Sequence, residues 1–347
     1  MININIILPY KETYSKKIAG AVSILVSQLT LHSIFKKKIK IYGSVNLKKP
    51  ITKNYYGTFV KKPIFYLSRT NYYLHLLKKK LSNNSKTLVE VHNRPQAAKF
   101  FIKHKPLCKK ILYFHNNPKE LRGSKTKKER IFLLNNLDKI IFVSEWCKRI
   151  FFNDLDIKNS NKAHVIYPGS TVLKKIPKKE KIIVFAGKLN IAKGYYIFLD
   201  AIINILKKHK KWNAIIIGDD PRKYNKMIHE RLKYTGWISH KSTLDIFKRS
   251  SIVTVPSLWS EPLGRTSIEA ASRGCATIIS KSGGLPETNN NGIFLKNNTE
   301  KELFKEIDEL IIDNKKRHRL MKINLQNFKH TVKKTVYDIE EIYKSLN

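Results

Sequence analysis

The sequence predicts an α/β protein of two βα domains, each a parallel sheet covered by helices, facing each other across a cleft. Three observations carry that expectation. Short β-branched runs alternate with helix-length segments along almost the whole chain. The stretch 168–181 contains Pro, Gly and five lysines with little periodicity, and reads as an exposed linker between two such series. With 347 residues, 42% of them hydrophobic, the chain is long enough to bury two cores. The expected domains are residues 1–170 and 171–327, with a final helix at about 328–347 that packs back on the first.

In the first half the expected strands are Ile2 to Leu8, Ile39 to Tyr42, Thr87 to Val91, Lys110 to Phe114, Lys139 to Val143 and His164 to Tyr167. Helical segments at Ile18 to Ile34, Pro95 to Lys103 and Ser144 to Asn153 lie between them. The second half repeats the rhythm with strands at Lys181 to Ala186, Trp212 to Ile217, Ser251 to Val255 and Ala276 to Ser280. Ligands bind at the C-terminal edges of such sheets, so the expected site is the cleft between the halves. Met1 to Leu8 lacks a basic start and runs into Pro9, which fits a first strand better than a signal peptide. Ile18 to Phe35 is uncharged but too rich in Ser, Thr, Gln and His to prefer a bilayer.

Lys and Arg number 68 against 26 Asp and Glu, a net charge of +42. That balance excludes strongly cationic ligands and favours polyphosphates, nucleic acid or an anionic membrane surface as partners. An AT-rich coding sequence, rich in Lys, Asn and Ile codons, accounts for the same numbers without any binding role. The imbalance is greater in the first half, where 34 basic residues face 8 acidic ones up to Ser170, a net of +26. Clusters Lys36-Lys37-Lys38, Lys61-Lys62, Lys78-Lys79-Lys80 and Lys109-Lys110 are spread over it. Three widely spaced cysteines, Cys108, Cys147 and Cys275, provide neither a disulfide framework nor a zinc motif and fit a reducing compartment.

Chemistry concentrates in Ser257-Leu258-Trp259-Ser260-Glu261-Pro262-Leu263-Gly264-Arg265-Thr266-Ser267-Ile268-Glu269-Ala270. A strand ends near Pro256, a loop presents Glu261, and a helix opening near Gly264 carries Glu269. A carboxylate accepts two hydrogen bonds at once and so matches vicinal hydroxyls, while the first-turn amides at Gly264, Arg265 and Thr266 suit a phosphate. Lys188 and Lys193, just after a strand, supply charge for a diphosphate leaving group. At another strand end, Tyr113-Phe114-His115-Asn116-Asn117-Pro118 presents His115. Arg94, after His92, is placed to meet an anionic acceptor, with an ordinary turn as the alternative.

Glu261 and Glu269, separated by seven residues and opened by Glu261-Pro262-Leu263-Gly264, resemble the donor motif of the family-4 retaining glycosyltransferases of GT-B fold. Phe185-Ala186-Gly187-Lys188 with Lys193-Gly194, then Gly236-Trp237, and Gly283-Gly284-Leu285-Pro286-Glu287 resemble companion motifs of that family in the same order. The resemblance implies a GT-B architecture of two Rossmann-like βαβ domains. It also implies retaining transfer of a sugar from a nucleoside diphosphate sugar to a hydroxyl of a cell-surface glycan or lipid-linked acceptor of lipopolysaccharide or polysaccharide type. In the resembled arrangement Glu269 holds the ribose, Glu261 the sugar, Lys188 and Lys193 the diphosphate, and His115 contacts the sugar from the other domain. Gly264, Arg265, Thr266, Gly187 and Gly20 line the donor, with Ala19-Gly20-Ala21 standing where the family has paired glycines. Asp154-Leu155-Asp156 follows an aromatic helix in a loop, so no metal-bound diphosphate is expected, and no cofactor beyond the donor itself. The expected place of action is the cytoplasm or the inner face of the cell membrane. Two alternatives remain from the sequence: a basic nucleic-acid-binding protein, which the ordered motifs do not explain, and a GT-B binding subunit without catalysis.

Overall fold

The computed structural model describes residues 2–60, 68–222 and 224–347. The chain divides into two compact units, Met1–Pro168 with Val332–Asn347, and Gly169–Thr331.

In the first unit a seven-stranded parallel sheet is built from β1 (Asn3–Ile7), β2 (Ile39–Gly43), β3 (Tyr55–Gly57), β4 (Thr87–His92), β5 (Lys109–Phe114), β6 (Lys139–Phe142) and β7 (Ala163–Val165), in the spatial order β3-β2-β1-β4-β5-β6-β7. Helices α1 (Ala21–His32), α2 (Arg69–Lys80), α3 (Pro95–His104), α4 (Lys127–Asn136) and α5 (Glu145–Phe152) connect the strands. Both faces are covered, so the central strands read as apolar runs: Ile4, Ile6, Leu88, Val89, Ile111, Leu112, Ile140 and Ile141 are all fully buried. Ser144 caps α5 from a Cys147 N–H, and Thr126 and Glu129 form a reciprocal capping box on α4.

The second unit has β8 (Glu180–Ala186), β9 (Asn213–Ile217), β10 (Leu232–Tyr234), β11 (Ser250–Val255), β12 (Ala276–Ser280) and β13 (Ile293–Leu295), all parallel, in the order β10-β9-β8-β11-β12-β13. Around it lie α6 (Tyr195–Lys208), α7 (His240–Arg249), α8 (Arg265–Ser272), α9 (Glu300–Ile312) and α10 (Asn314–Gln326). Phe198, Leu199, Ile202 and Ile205 recur at helical spacing in α6 and pack with Ile183, Phe185, Ile216 and Ile307 into one core. After Thr331 the chain enters α11 (Val332–Lys344), which belongs to the first unit and packs on α1. There Phe35 and Tyr343 meet edge to face at 5.7 Å.

The strand order reverses direction at β1/β4 in one sheet and at β8/β11 in the other. Connections leave such a point in opposite directions, opening a crevice beyond the strand ends. Three strands escape the sequence reading, β3, β10 and β13, each of three residues at a sheet edge and too short for a period-two pattern. The three cysteines are buried and unbridged. Among the described residues, no helix is long and apolar enough to cross a membrane.

Candidate functional site

In the second unit the motif residues gather at the C-terminal edge of the sheet, around the β8/β11 reversal. Beyond β8, Asn190 caps a short turn by accepting the Lys193 N–H, and Gly194 turns the chain into α6 with φ 70°. Its Cβ position lies 1.8 Å from the Pro256 carbonyl oxygen, so only glycine brings this loop against the end of β11. Lys193 Nζ then meets Glu261 Oε1 at 2.5 Å and lies 5.1 Å from the centre of the Trp259 ring. Ser257 Oγ donates to the same Glu261 oxygen at 2.7 Å.

Glu261 is buried and its backbone is paired with the second glycine motif: the Gly284 N–H donates to the Glu261 carbonyl at 2.6 Å. Gly283, at φ 65°, would place a Cβ 2.2 Å from that carbonyl oxygen. The loop holding Glu261 is therefore fixed from both sides, by Lys193 and by Gly283-Gly284. Gly264 forms the N-cap of α8. In the next turn Thr266 Oγ1 donates to the Ala186 carbonyl at 3.3 Å, tying α8 to the end of β8. Gly187 is anchored by its N–H on the Ile217 carbonyl, and Gly218 in turn donates to Gly236. A Cβ on Gly187 would touch nothing closer than 3.8 Å, so packing alone does not require glycine there.

Glu269 lies in the second turn of α8, buried. Oε1 accepts from Arg265 Nη2 at 3.0 Å and Nε at 3.2 Å, and is 2.9 Å from His240 Nε2. Burial pushes its carboxyl pKa up, but the Arg265 charge and the His240 and Arg265 hydrogen bonds together outweigh that and hold it below the usual glutamate range. Both glutamates are thus anchored through Oε1, and none of these bonds uses Oε2. Arg265 Nη1 is buried with no hydrogen-bond partner among the described residues. Beside Trp259, an open pocket of about 560 Å³ is lined by Asn190, Ile191, Tyr196, Asp220 and Leu258.

Not every expected residue joins this cluster. Lys188 is exposed, and of the two lysines it is Lys193 that pairs with Glu261. Gly20 caps α1, but Glu12 Oε1 accepts the Ser23 N–H at 3.3 Å and its hydroxyl at 2.9 Å. A carboxylate thus reaches the first turn of the helix that Gly20 opens. His115, in the first unit, follows β5; its N–H donates to Asn93 Oδ1 at 3.1 Å and its Nε2 lies 2.9 Å from His92 Nδ1. Arg94 folds back on the Asn93 carbonyl at 3.0 Å. The aspartates of Asp154-Leu155-Asp156 are engaged separately, Asp154 by Arg130 and Lys119 and Asp156 by Lys127. The sequence reading gave no role to His240 or Glu90, and none of their own to Ser257 and His92, which it named only within longer stretches; Glu90 and His92 carry a sequence signal, polar residues two apart inside an apolar strand.

Residues 173–326 match the family model described as Glycosyl transferases group 1. YtcC of Bacillus subtilis (strain 168), which bears a glycosyltransferase name, is 25% identical over 256 residues, 61% of this chain and 62% of that protein. The phosphatidylinositol N-acetylglucosaminyltransferase gpi3 subunit of Schizosaccharomyces pombe is 29% identical over 176 residues, 47% of this chain and 38% of that one. The chain thus spans less than two thirds of the length of these relatives. Over 99% of its length it superimposes on the whole of Anabaena Alr3699/HepE, solved in complex with UDP and glucose, with a TM-score of 0.74 at 16% identity. The chain has the GT-B fold, and its residues 173–326 carry a match to the group 1 glycosyltransferase domain.

Proposed function

We propose that the protein is a retaining, metal-independent glycosyltransferase that moves a sugar from a nucleoside diphosphate sugar to a hydroxyl of a glycan or lipid-linked acceptor. The observation that carries the reading is the pair of carboxylates at the sheet edge, Glu261 and Glu269, each fixed by cations through Oε1 with Oε2 outside those bonds. Two such oxygens suit hydroxyl pairs on the ribose and on the transferred sugar. Arg265, with a buried unmatched Nη1, and Lys193 suit the diphosphate between them, with Lys188 nearer solvent. His115 contacts the sugar. The domain match and the UDP and glucose bound by the HepE relative in fold support a nucleotide sugar as donor.

Donor hydrolysis measured across UDP-, GDP- and ADP-sugars tests this directly: one donor class is turned over, with the anomeric configuration kept, in the presence of EDTA. Loss of all activity in EDTA, restored by a divalent cation, contradicts the role given to Lys193 and Arg265.

The acceptor side is proposed to work at an anionic membrane surface. Lys36, Lys37, Lys38, Lys79 and Lys80 are exposed, but Lys110 is not available to a surface. Its amine is buried and donates to the Cys108 and Pro106 carbonyls at 2.5 and 3.2 Å, with burial pulling its pKa down. Lys61-Lys62 lies outside the described residues. Sedimentation with anionic vesicles but not neutral ones, abolished by salt and by charge reversal at Lys36 to Lys38, is the expected result. Equal recovery in the supernatant with both vesicle types reduces the lysine excess to composition.

A further inference from the structure

The open pocket of about 560 Å³ beside Trp259 belongs wholly to the second unit, and Lys193, Glu261 and Glu269 do not line it. Its volume falls in the class that takes a small ligand, roughly 300–1,000 Å³. Two aromatic residues, Tyr196 and Trp259, border it together with Ile191 and Leu258, which are 69% and 49% exposed. Four apolar side chains, two of them aromatic, thus meet at one opening instead of being scattered singly over the surface.

The polar groups of the pocket are few and fixed. Asp220, just beyond β9, is buried. Its Oδ1 accepts from Arg222 Nε at 2.8 Å and from the Arg222 backbone N–H at 3.0 Å, while Oδ2 accepts from Arg222 Nη2 at 2.9 Å and from Asn190 Nδ2 at 2.7 Å. The Arg222 side-chain bond first, then that of Asn190, holds the Asp220 carboxyl far below its ordinary pKa, so the two form a full ion pair. A guanidinium has five N–H groups and this fork uses two, which leaves three on a side chain that is itself 72% exposed. Arg222 is therefore oriented before any ligand arrives, and its charge is cancelled by Asp220.

That compensation decides the class of ligand. In a chain of net charge +42, a pocket whose cation is already neutralised is poorly suited to selecting anions. Oriented N–H donors beside aromatic rings instead match the two sides of a sugar, its hydroxyl edge and its apolar C–H face. We propose that this pocket binds a neutral sugar unit of a glycan, with Tyr196 and Trp259 against the ring and Arg222 donating to its hydroxyls. Trp259 also links the pocket to the Lys193–Glu261 pair, since Lys193 Nζ lies 5.1 Å from the centre of the same ring. The binding site stands independently of the transfer reading above and rests on it only for calling that glycan the acceptor.

The test is a titration of the full chain with cellotetraose, maltotetraose, mannotetraose and chitotetraose, and with tetragalacturonate as the acidic probe, followed by ¹⁵N NMR of the indole groups. The Trp259 signal is assigned by its loss in Trp259→Phe. At least one neutral probe is expected to shift that signal and to bind more tightly than tetragalacturonate. Arg222→Gln should weaken that probe about tenfold, the loss of one or two hydrogen bonds from a charged donor. Leu258→Asp, at an exposed position, places a carboxylate in the apolar wall and should weaken it at least as much, while donor hydrolysis is unchanged in both variants. No response of Trp259 to any neutral probe, tighter binding of tetragalacturonate, or unchanged affinity in whichever variant remains folded overturns the proposal. Glycan binding in a protein without donor turnover keeps the pocket and removes the transfer reading; turnover without a response at Trp259 does the reverse.

Discussion

Replacing Glu269 by alanine is expected to destabilise the second unit by about 3–5 kcal/mol and to abolish measurable nucleotide binding, the largest effect of any single substitution at the site. The magnitude follows from breaking one side of a buried ion pair: Arg265 would keep its charge, 12% exposed, with its carboxylate gone and Nη1 already without a partner. Glu269→Gln separates the two losses, since the amide oxygen still accepts from Arg265 while the charge is gone. Urea midpoints and calorimetric titration with nucleoside diphosphates measure both. Because the folded carboxyl lies below its ordinary value of 4.5, the contribution of the pair is fully present above that pH and is lost as pH falls through the depressed folded value. The stability gap between wild type and Glu269→Gln should therefore narrow below about pH 4.5. A gap that stays constant down to pH 3, or nucleotide affinity unchanged in Glu269→Gln, would sink the assignment.

Lys193→Ala comes second, with turnover expected to fall by about 10²–10³ and donor affinity by much less. Negative charge on the diphosphate grows as the glycosidic bond breaks, so a fixed ammonium acts most strongly late on the reaction path. Lys193 lies between Glu261 on one side and the Trp259 ring on the other, a fixed place from which the proposed transfer would draw on it. Lys188→Ala should have a smaller effect, because that amine is solvated and would have to be ordered on binding. Steady-state kinetics with pre-steady-state donor binding resolves the two quantities. Equal losses in turnover and affinity would make Lys193 a simple anchor for the ground state.

Much of this arrangement was legible before any coordinates. The alternation of apolar runs placed ten of the strands, and the ordered motifs after β8 and β11 marked the residues that the structure brings to one sheet edge. Side-chain partners across long sequence separations were not legible. His240 reaches Glu269 from 29 positions away, and nothing in Ser239-His240-Lys241 distinguishes it from a helix start; it opens α7, capped by Ser239. Around Gly20 the local pattern likewise does not reveal that Glu12, eight residues earlier, accepts from the Ser23 N–H and hydroxyl in the first turn of the helix. Lys110 failed for a third reason. Lysine adjacency suggests a surface cluster, yet the alternation of side chains along β5 turns one of two neighbours inward.

The crossing of α11 back to the first unit bears on how the chain acquires its fold. Residues 1–168 emerge first during synthesis, but their sheet lacks the Tyr343 hydroxyl beneath Glu90 and the aromatic edge against Phe35 until the last helix has been made. Residues 169–331 form a contiguous unit and have every strand of their own sheet before α11 appears. On the ribosome the order of completion is thus inverted relative to the order of translation: the leading unit waits, with a buried carboxylate only partly satisfied, for the trailing one to pass.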